Sequence, residues 1–194
     1  MAETATKQTG PTYVGTSKVV KTDYPLIDND PDSHFKRVVR YARPSDYLAG
    51  GLAAAFAPTA LYTLEKFAPS RVGKGGLAKA MRLAGFVGLA GGFLYFYQRS
   101  CLRFYGATEN RREVDMDMRE MVAKVKAGEP LYGESKLSPY LQGVAARQSR
   151  YSALFFSAVP WFNFVNHGQH GVDTAKYYQQ AERELEAERT GKSL

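Results

Sequence analysis

Two uncharged, apolar stretches dominate the pattern along this chain. The first, YLAGGLAAAFAPTALYTL from Tyr47 to Leu64, contains no charged residue. At ~1.5 Å per helical residue it reaches about 27 Å, close to the ~30 Å hydrocarbon core of a bilayer. The second, LAGFVGLAGGFLYFYQ from Leu83 to Gln98, is bounded by Arg82 and Arg99. It is slightly short for a span, but bordering arginines can bury their stems and lift their charges to headgroup level. Glycine and Pro58 weaken a helix in water and are tolerated in one that crosses lipid. Small residues recur at helical spacing: Gly50 and Ala54 in the first stretch, Ala84, Gly88 and Gly92 in the second. Such faces let helices approach closely where lipid removes the usual hydrophobic drive between them. The connection Glu65–Arg82 carries Lys66, Arg71, Lys74, Lys79 and Arg82, with Pro69, Gly73, Gly75 and Gly76 as helix breakers. The pattern predicts a two-helix transmembrane hairpin.

The flanks read differently. Residues 1–30 contain no arginine, carry an early Glu3 and have no apolar run, so neither a cleavable presequence nor a secretory signal is expected. An extended tail laid along a partner fits better, leading into the basic run His34–Arg43 with Lys36, Arg37, Arg40 and Arg43. Ser45 or Asp46 is placed to cap the first span. After Thr108, a second candidate cap, the apolar residues Val114, Met118, Met121, Val122 and Val125 follow helical spacing. Gly128 and Pro130 end that helix. Its other side holds Arg111, Arg112, Asp115, Asp117, Arg119 and Glu120, expected to face solvent. Pro139 suits the first position of a further helix. Tyr151–Val165 is too short and proline-broken for a third span and reads as buried or interfacial. Asp173–Thr190 reads as a charged helix with a thin Tyr178, Ala181, Leu185 stripe. The expected fold is therefore an all-α membrane protein with an extended N-terminal tail and C-terminal amphipathic helices. Its boundaries fall at 1–43 (extended, partly basic), 44–105 (the hairpin, with spans about 47–64 and 83–98) and 106–194 (helical).

Composition narrows the chemistry. The 194 residues carry 26 Lys+Arg against 19 Asp+Glu, a net charge of +7. Nucleic-acid readers set aromatics among basic residues on one platform; here tyrosine and phenylalanine gather at the ends of the apolar stretches, as at a membrane interface. No nucleic acid or small-molecule substrate is expected. Arg40, Arg43, Arg99 and Arg103 are the expected headgroup anchors. The mean hydropathy of −0.36 excludes a polytopic transporter. A single cysteine excludes a disulfide framework and a Cys-rich metal site. His167 and His170 share a helical face but lack further ligands, and the glycines around them read as a turn. Gly73-Lys-Gly-Gly-Leu-Ala78 fits a dinucleotide pattern formally but would need a preceding strand. Cys101, between Arg99 and Arg103, is read as an interfacial or buried thiol. No nucleophile–base set or phosphate loop is present, so no catalytic, cofactor-binding or metal residue is assigned. A self-associating component of a protein-import or solute channel is the alternative, opposed by the lack of intramembrane charge.

Three longer stretches are similar to a known family: TATKQTGPTYVGT, YPLIDNDPDSHFKRVVRYARPSDY and YFYQRSCLRFYGATENRREVDMDMREMV. The chain resembles the ~21 kDa accessory subunit of fungal mitochondrial NADH:ubiquinone oxidoreductase, respiratory complex I, over nearly its whole length. The resemblance implies an integral subunit of the mitochondrial inner membrane, in the membrane arm, with other complex I subunits and membrane lipids as neighbours. It implies no flavin, iron–sulfur or quinone site on this chain, and a role in stabilising or assembling the subunits that do the chemistry. Cardiolipin, the anionic lipid of that membrane, is the expected structural lipid.

Overall fold

The computed structural model describes residues 22–27, 33–152, 159–168 and 172–191. Its helices are α1 (Phe35–Tyr41), α2 (Pro44–Phe67), α3 (Lys74–Phe104), α4 (Arg111–Ala127), α5 (Pro139–Ser152) and α6 (Ala175–Thr190). There is no strand among the described residues; a lone parallel bridge joins His34 to Asn163. Most of the N-terminal tail lies outside the described residues. The end of the segment read as extended is helical, because α1 buries Val38 and Tyr41 three residues apart on one face.

Helix α2 begins at Pro44, where a fixed φ and a missing N–H are no handicap. Asp46 acts from the first turn, its carboxylate accepting the Arg43 N–H at 2.8 Å. The helix continues through Pro58 to Phe67. Helix α3 has 31 residues, about 46 Å at the usual rise and well beyond a ~30 Å hydrocarbon layer. Its final turns are sheathed by protein: Tyr97, Cys101 and Phe104 are buried with Val38, Tyr41 and Ile27 in one core. Helix α1 is tied there by Ser100, whose hydroxyl donates to the Val38 carbonyl at 2.7 Å.

A short extended strap closes the same end. Tyr24 N–H donates to the Gly106 carbonyl and Ile27 N–H to that of Phe104, at 3.3 and 3.1 Å. Gly106 turns the chain with φ 66°, and a Cβ there would lie 2.3 Å from the Tyr24 carbonyl oxygen. Only glycine meets both demands. Asn110, fully buried, donates through its amide nitrogen to the carbonyls of Pro25 and Arg103. Helix α4 therefore starts at Arg111, later than the Thr108 cap suggested, and stops at Gly128 in the left-handed region (φ 69°).

Helix α6 packs on α4. Its buried residues are Tyr177 and Ala181, whereas Tyr178 is 50% exposed and Leu185 43% exposed. The face is thus shifted from the apolar stripe read in the sequence, because the Tyr177 hydroxyl has a buried partner on α4. One turn and two turns beyond Ala181, Glu184 and Glu188 each meet Lys126 at 2.8 Å. Helix α5 opens at Pro139 as expected. The reading of Tyr151–Val165 falls in part on residues 153–158, outside the described residues. Beyond them, Phe162 and Phe164 stand 6.3 and 5.2 Å from the Phe35 ring.

Candidate functional site

Helices α2 and α3 run antiparallel, and the small residues singled out in the sequence face each other between them. A Cβ on Gly92 would fall 2.4 Å from the Gly50 carbonyl oxygen and 2.7 Å from Ala54 Cβ; one on Gly50 would fall 2.8 Å from Phe96 Cβ. At Gly88 it would fall 2.2 Å from the Ala54 carbonyl oxygen and 3.3 Å from the Pro58 ring. These two observations have one cause. Pro58 has no N–H, so the carbonyl four residues earlier, that of Ala54, loses its helical donor and is displaced by the ring. Gly88 provides the space that this carbonyl occupies. Ala84, one turn earlier on the same face of α3, is half-buried. The small faces on which contact with foreign helices was expected are, for Gly50, Ala54, Gly88 and Gly92, used within the chain.

The outward sides of the pair are apolar and uncovered. Leu48, Leu52, Phe56, Phe86 and Leu89 are 66–72% exposed. Both helices are long and apolar enough to cross a membrane.

At the other end of the pair the sequence reading missed a feature. Asp46, Glu113 and Asp117 are fully or almost fully buried, although the carboxylates on α4 were expected to face solvent. The four arginines expected at headgroups are their partners or lie beside them. Asp46 receives Arg103 Nη1 at 2.7 Å and Arg99 Nε at 3.0 Å. Glu113 takes a two-pronged contact from Arg43, at 2.7 and 2.6 Å, and Glu109 adds a third carboxylate contact at 2.9 Å. Arg40 pairs with Glu120, and Arg37 with Asp117. Asp117 also accepts the Tyr177 hydroxyl at 2.6 Å, which ties α6 into the network. Such partners lie far apart in sequence, Arg103 being 57 residues from Asp46, so no local pattern announces them. The one available signal was charge spacing: Arg37, Arg40 and Arg43 recur every three residues, as do Asp117 and Glu120 on α4.

The network sets the charge state of its members. Burial pulls Glu120 upward, but donors Tyr41, Arg40 and Lys124 outweigh it and hold its pKa at about 2. Tyr41 is pushed up to about 12, by burial first and against the pull of Arg37. Asp117 is raised because burial outweighs its pairing with Arg37 and the Tyr177 hydrogen bond. Arg43 is held further above the ordinary range by its Glu113 hydrogen bonds.

The other sequence features resolve simply. Cys101 is buried, and its neighbours Arg99 and Arg103, two residues away on either side, turn to Asp46; side chains two apart on a helix do not share a face. The segment Gly73–Ala78 follows helix α2 and opens α3, with no strand before it among the described residues. His170 lies outside the described residues, and His167 is buried. Among the described residues no group of three metal-ligating side chains comes together.

These features define an all-helical protein with two membrane-competent helices set on an ion-paired base. Comparison with known proteins gives the class a family. Residues 21–109 match the family described as NADH-ubiquinone oxidoreductase complex I, 21 kDa subunit, and residues 118–194 match the C-terminal family of the same subunit. The chain is 72% identical over 182 residues to the NADH-ubiquinone oxidoreductase 20.9 kDa subunit of Neurospora crassa, covering 94% of this chain and 95% of that protein. The chain belongs to the 21 kDa complex I subunit family.

Proposed function

We propose that this chain is a non-catalytic, accessory subunit of mitochondrial respiratory complex I that stabilises or helps assemble the membrane arm. Helices α2 and α3 cross the inner membrane as a hairpin, and the base formed by α1, α4 and α6 sits at one membrane surface. The observation that carries this reading is the contrast between the two ends of one helix. The apolar flank of α3 is bare at Phe86 and Leu89, while its last turns are buried in protein and ion pairs. An uncovered apolar surface of that extent is a liability in water and suits lipid or neighbouring subunits. With the small faces spent inside the hairpin, contact with core membrane helices falls to the outer leucines and phenylalanines. Arg40 and Arg99, with 60% and 38% of their side chains exposed, keep reach to headgroups while paired. Cardiolipin is the structural lipid that this arrangement would attract.

The test is to solubilise mitochondrial membranes in digitonin, separate them on a native gel, stain for NADH dehydrogenase activity and blot for this chain. Comigration with the active band, and retention in the pellet after alkaline carbonate, is the expected result. A homo-oligomer migrating apart from the active band would overturn the subunit role and favour the channel-component alternative.

A further inference from the structure

Between α1, the middle of α4 and the loop after Gly128 lies a cleft of about 410 Å³ with a strongly cationic lining. Lys36, Arg37, Arg40 and Lys124 line it, with Glu120 the acidic member. That one carboxylate is already saturated: it receives the Tyr41 hydroxyl at 2.6 Å, Lys124 at 3.0 Å, and Arg40. Lys124 also donates to the Leu131 carbonyl, and Arg37 is committed to Asp117. Lys36 is exposed and, among the described residues, has no carboxylate partner. The cleft therefore presents more positive charge than the described residues neutralise, focused in a concave wall.

A second observation concerns what borders it. Val165 lines the cleft, and its neighbour Phe164, 67% exposed, stands 5.2 Å from Phe35. Phe35 is in turn 6.5 Å from Phe93 on the apolar flank of α3. A chain of rings thus leads from a cationic cleft to the bare surface of the paired helices.

We propose that this cleft binds a phosphate group, supplied by the headgroup of an anionic phospholipid, with Lys36 and Arg40 as its exposed contacts and the ring chain as the path for an acyl tail. The lipid source rests on the membrane reading above; the phosphate chemistry does not. Ammonium and guanidinium donors both suit phosphate oxygens, the guanidinium through two parallel N–H groups.

Native mass spectrometry of the full chain, delipidated in detergent, tests the proposal with phosphatidylglycerol, phosphatidylcholine and inorganic phosphate as probes. One phosphatidylglycerol should bind in preference to phosphatidylcholine. Lys36→Glu should weaken it about tenfold or more, the scale expected for losing a charge-assisted contact, and Lys36→Arg should retain it. Lys36 is exposed, so both variants should melt as the parent does. Competition by inorganic phosphate would support the phosphate as the recognised group. Phosphate binding without lipid binding would overturn the lipid source. Equal binding of the two lipids, or an unchanged Lys36→Glu, would overturn the site. Carbonate extraction is a separate readout: release from membranes with phosphate binding intact would remove the membrane reading and leave the cleft standing.

Discussion

Asp46 shows how much one residue can hold in this protein. It accepts the Arg43 backbone N–H at the start of α2 and receives both Arg99 and Arg103 from the end of α3. Arg103 has only 6% of its side chain exposed. Asp46→Ala leaves that guanidinium buried without its counter-charge, a change that costs about 3–5 kcal/mol. Arg99→Ala should cost about 1 kcal/mol or less, because Arg99 is more exposed and Asp46 keeps Arg103. Thermal melts of the detergent-solubilised chain should rank the two variants in that order. Glu120 makes a pH-dependent contribution. Its folded pKa, about 2, lies below the ordinary glutamate value of 4.5, so its stabilisation is present above about pH 4.5 and is lost as the pH falls through about 2. Asp117 opposes it: a raised folded pKa favours the folded state at acid pH and loses that effect as the pH rises. Glu120→Gln should therefore flatten the fall in melting temperature between about pH 5 and pH 2.

At the scale of elements, the two helix contacts depend on different chemistry. Between α2 and α3 the backbone itself is the contact surface. Gly88→Ala and Gly92→Ala put a Cβ 2.2 and 2.4 Å from a carbonyl oxygen, and neither clash has a flexible side chain to relieve it. Both should push the helices apart and lower the yield of intact complex on native gels. Gly51→Ala, Gly85→Ala and Gly91→Ala meet nothing within 4 Å and should leave that yield unchanged. Their normal behaviour would separate close approach from helix propensity, since all five substitutions raise propensity alike. Between α4 and α6 the contact is polar at its centre. Tyr177→Phe removes a donor from buried Asp117 and should cost about 1–3 kcal/mol. Lys126→Ala removes contacts to Glu184 and Glu188 at the surface, where solvent screens them, and should cost less than Tyr177→Phe. Chemical denaturation of the solubilised chain checks the difference.

Over the whole molecule, α3 belongs to both parts. It packs on α2 through Gly88, Gly92 and Phe96, and its final turns form the core of the base with Tyr41, Ile27 and Val38. A continuous helix shared in this way should couple the two parts in unfolding. The chain has one tryptophan, Trp161, next in sequence to Phe162, whose ring lies 4.6 Å from that of Tyr97 in the base. Trp161 fluorescence and far-ultraviolet circular dichroism should therefore melt at one temperature, and Asp46→Ala should lower both together. Separate transitions would show that hairpin and base fold independently.

What the sequence determined by itself follows from local physics. A run without charge, of bilayer length, specifies an apolar helix whatever surrounds it, and both such helices are present. Gly128 and Pro139 mark helix ends through backbone geometry alone, and the small residues at four-residue spacing marked a close-packed face. The tertiary structure decided which surface that face meets: Ala54 meets Gly88 across the hairpin because Pro58 releases a carbonyl there. It also decided which charges leave water. Asp46, Glu113 and Asp117 look like ordinary solvated carboxylates in any local window, and their burial depends on arginines brought in from distant segments. For the same reason α6 turns Tyr177 inward and Tyr178 outward: a hydrogen bond to buried Asp117 outweighs the apolar stripe. Burial of a charge is a property of its partners, and only the fold brings those partners together.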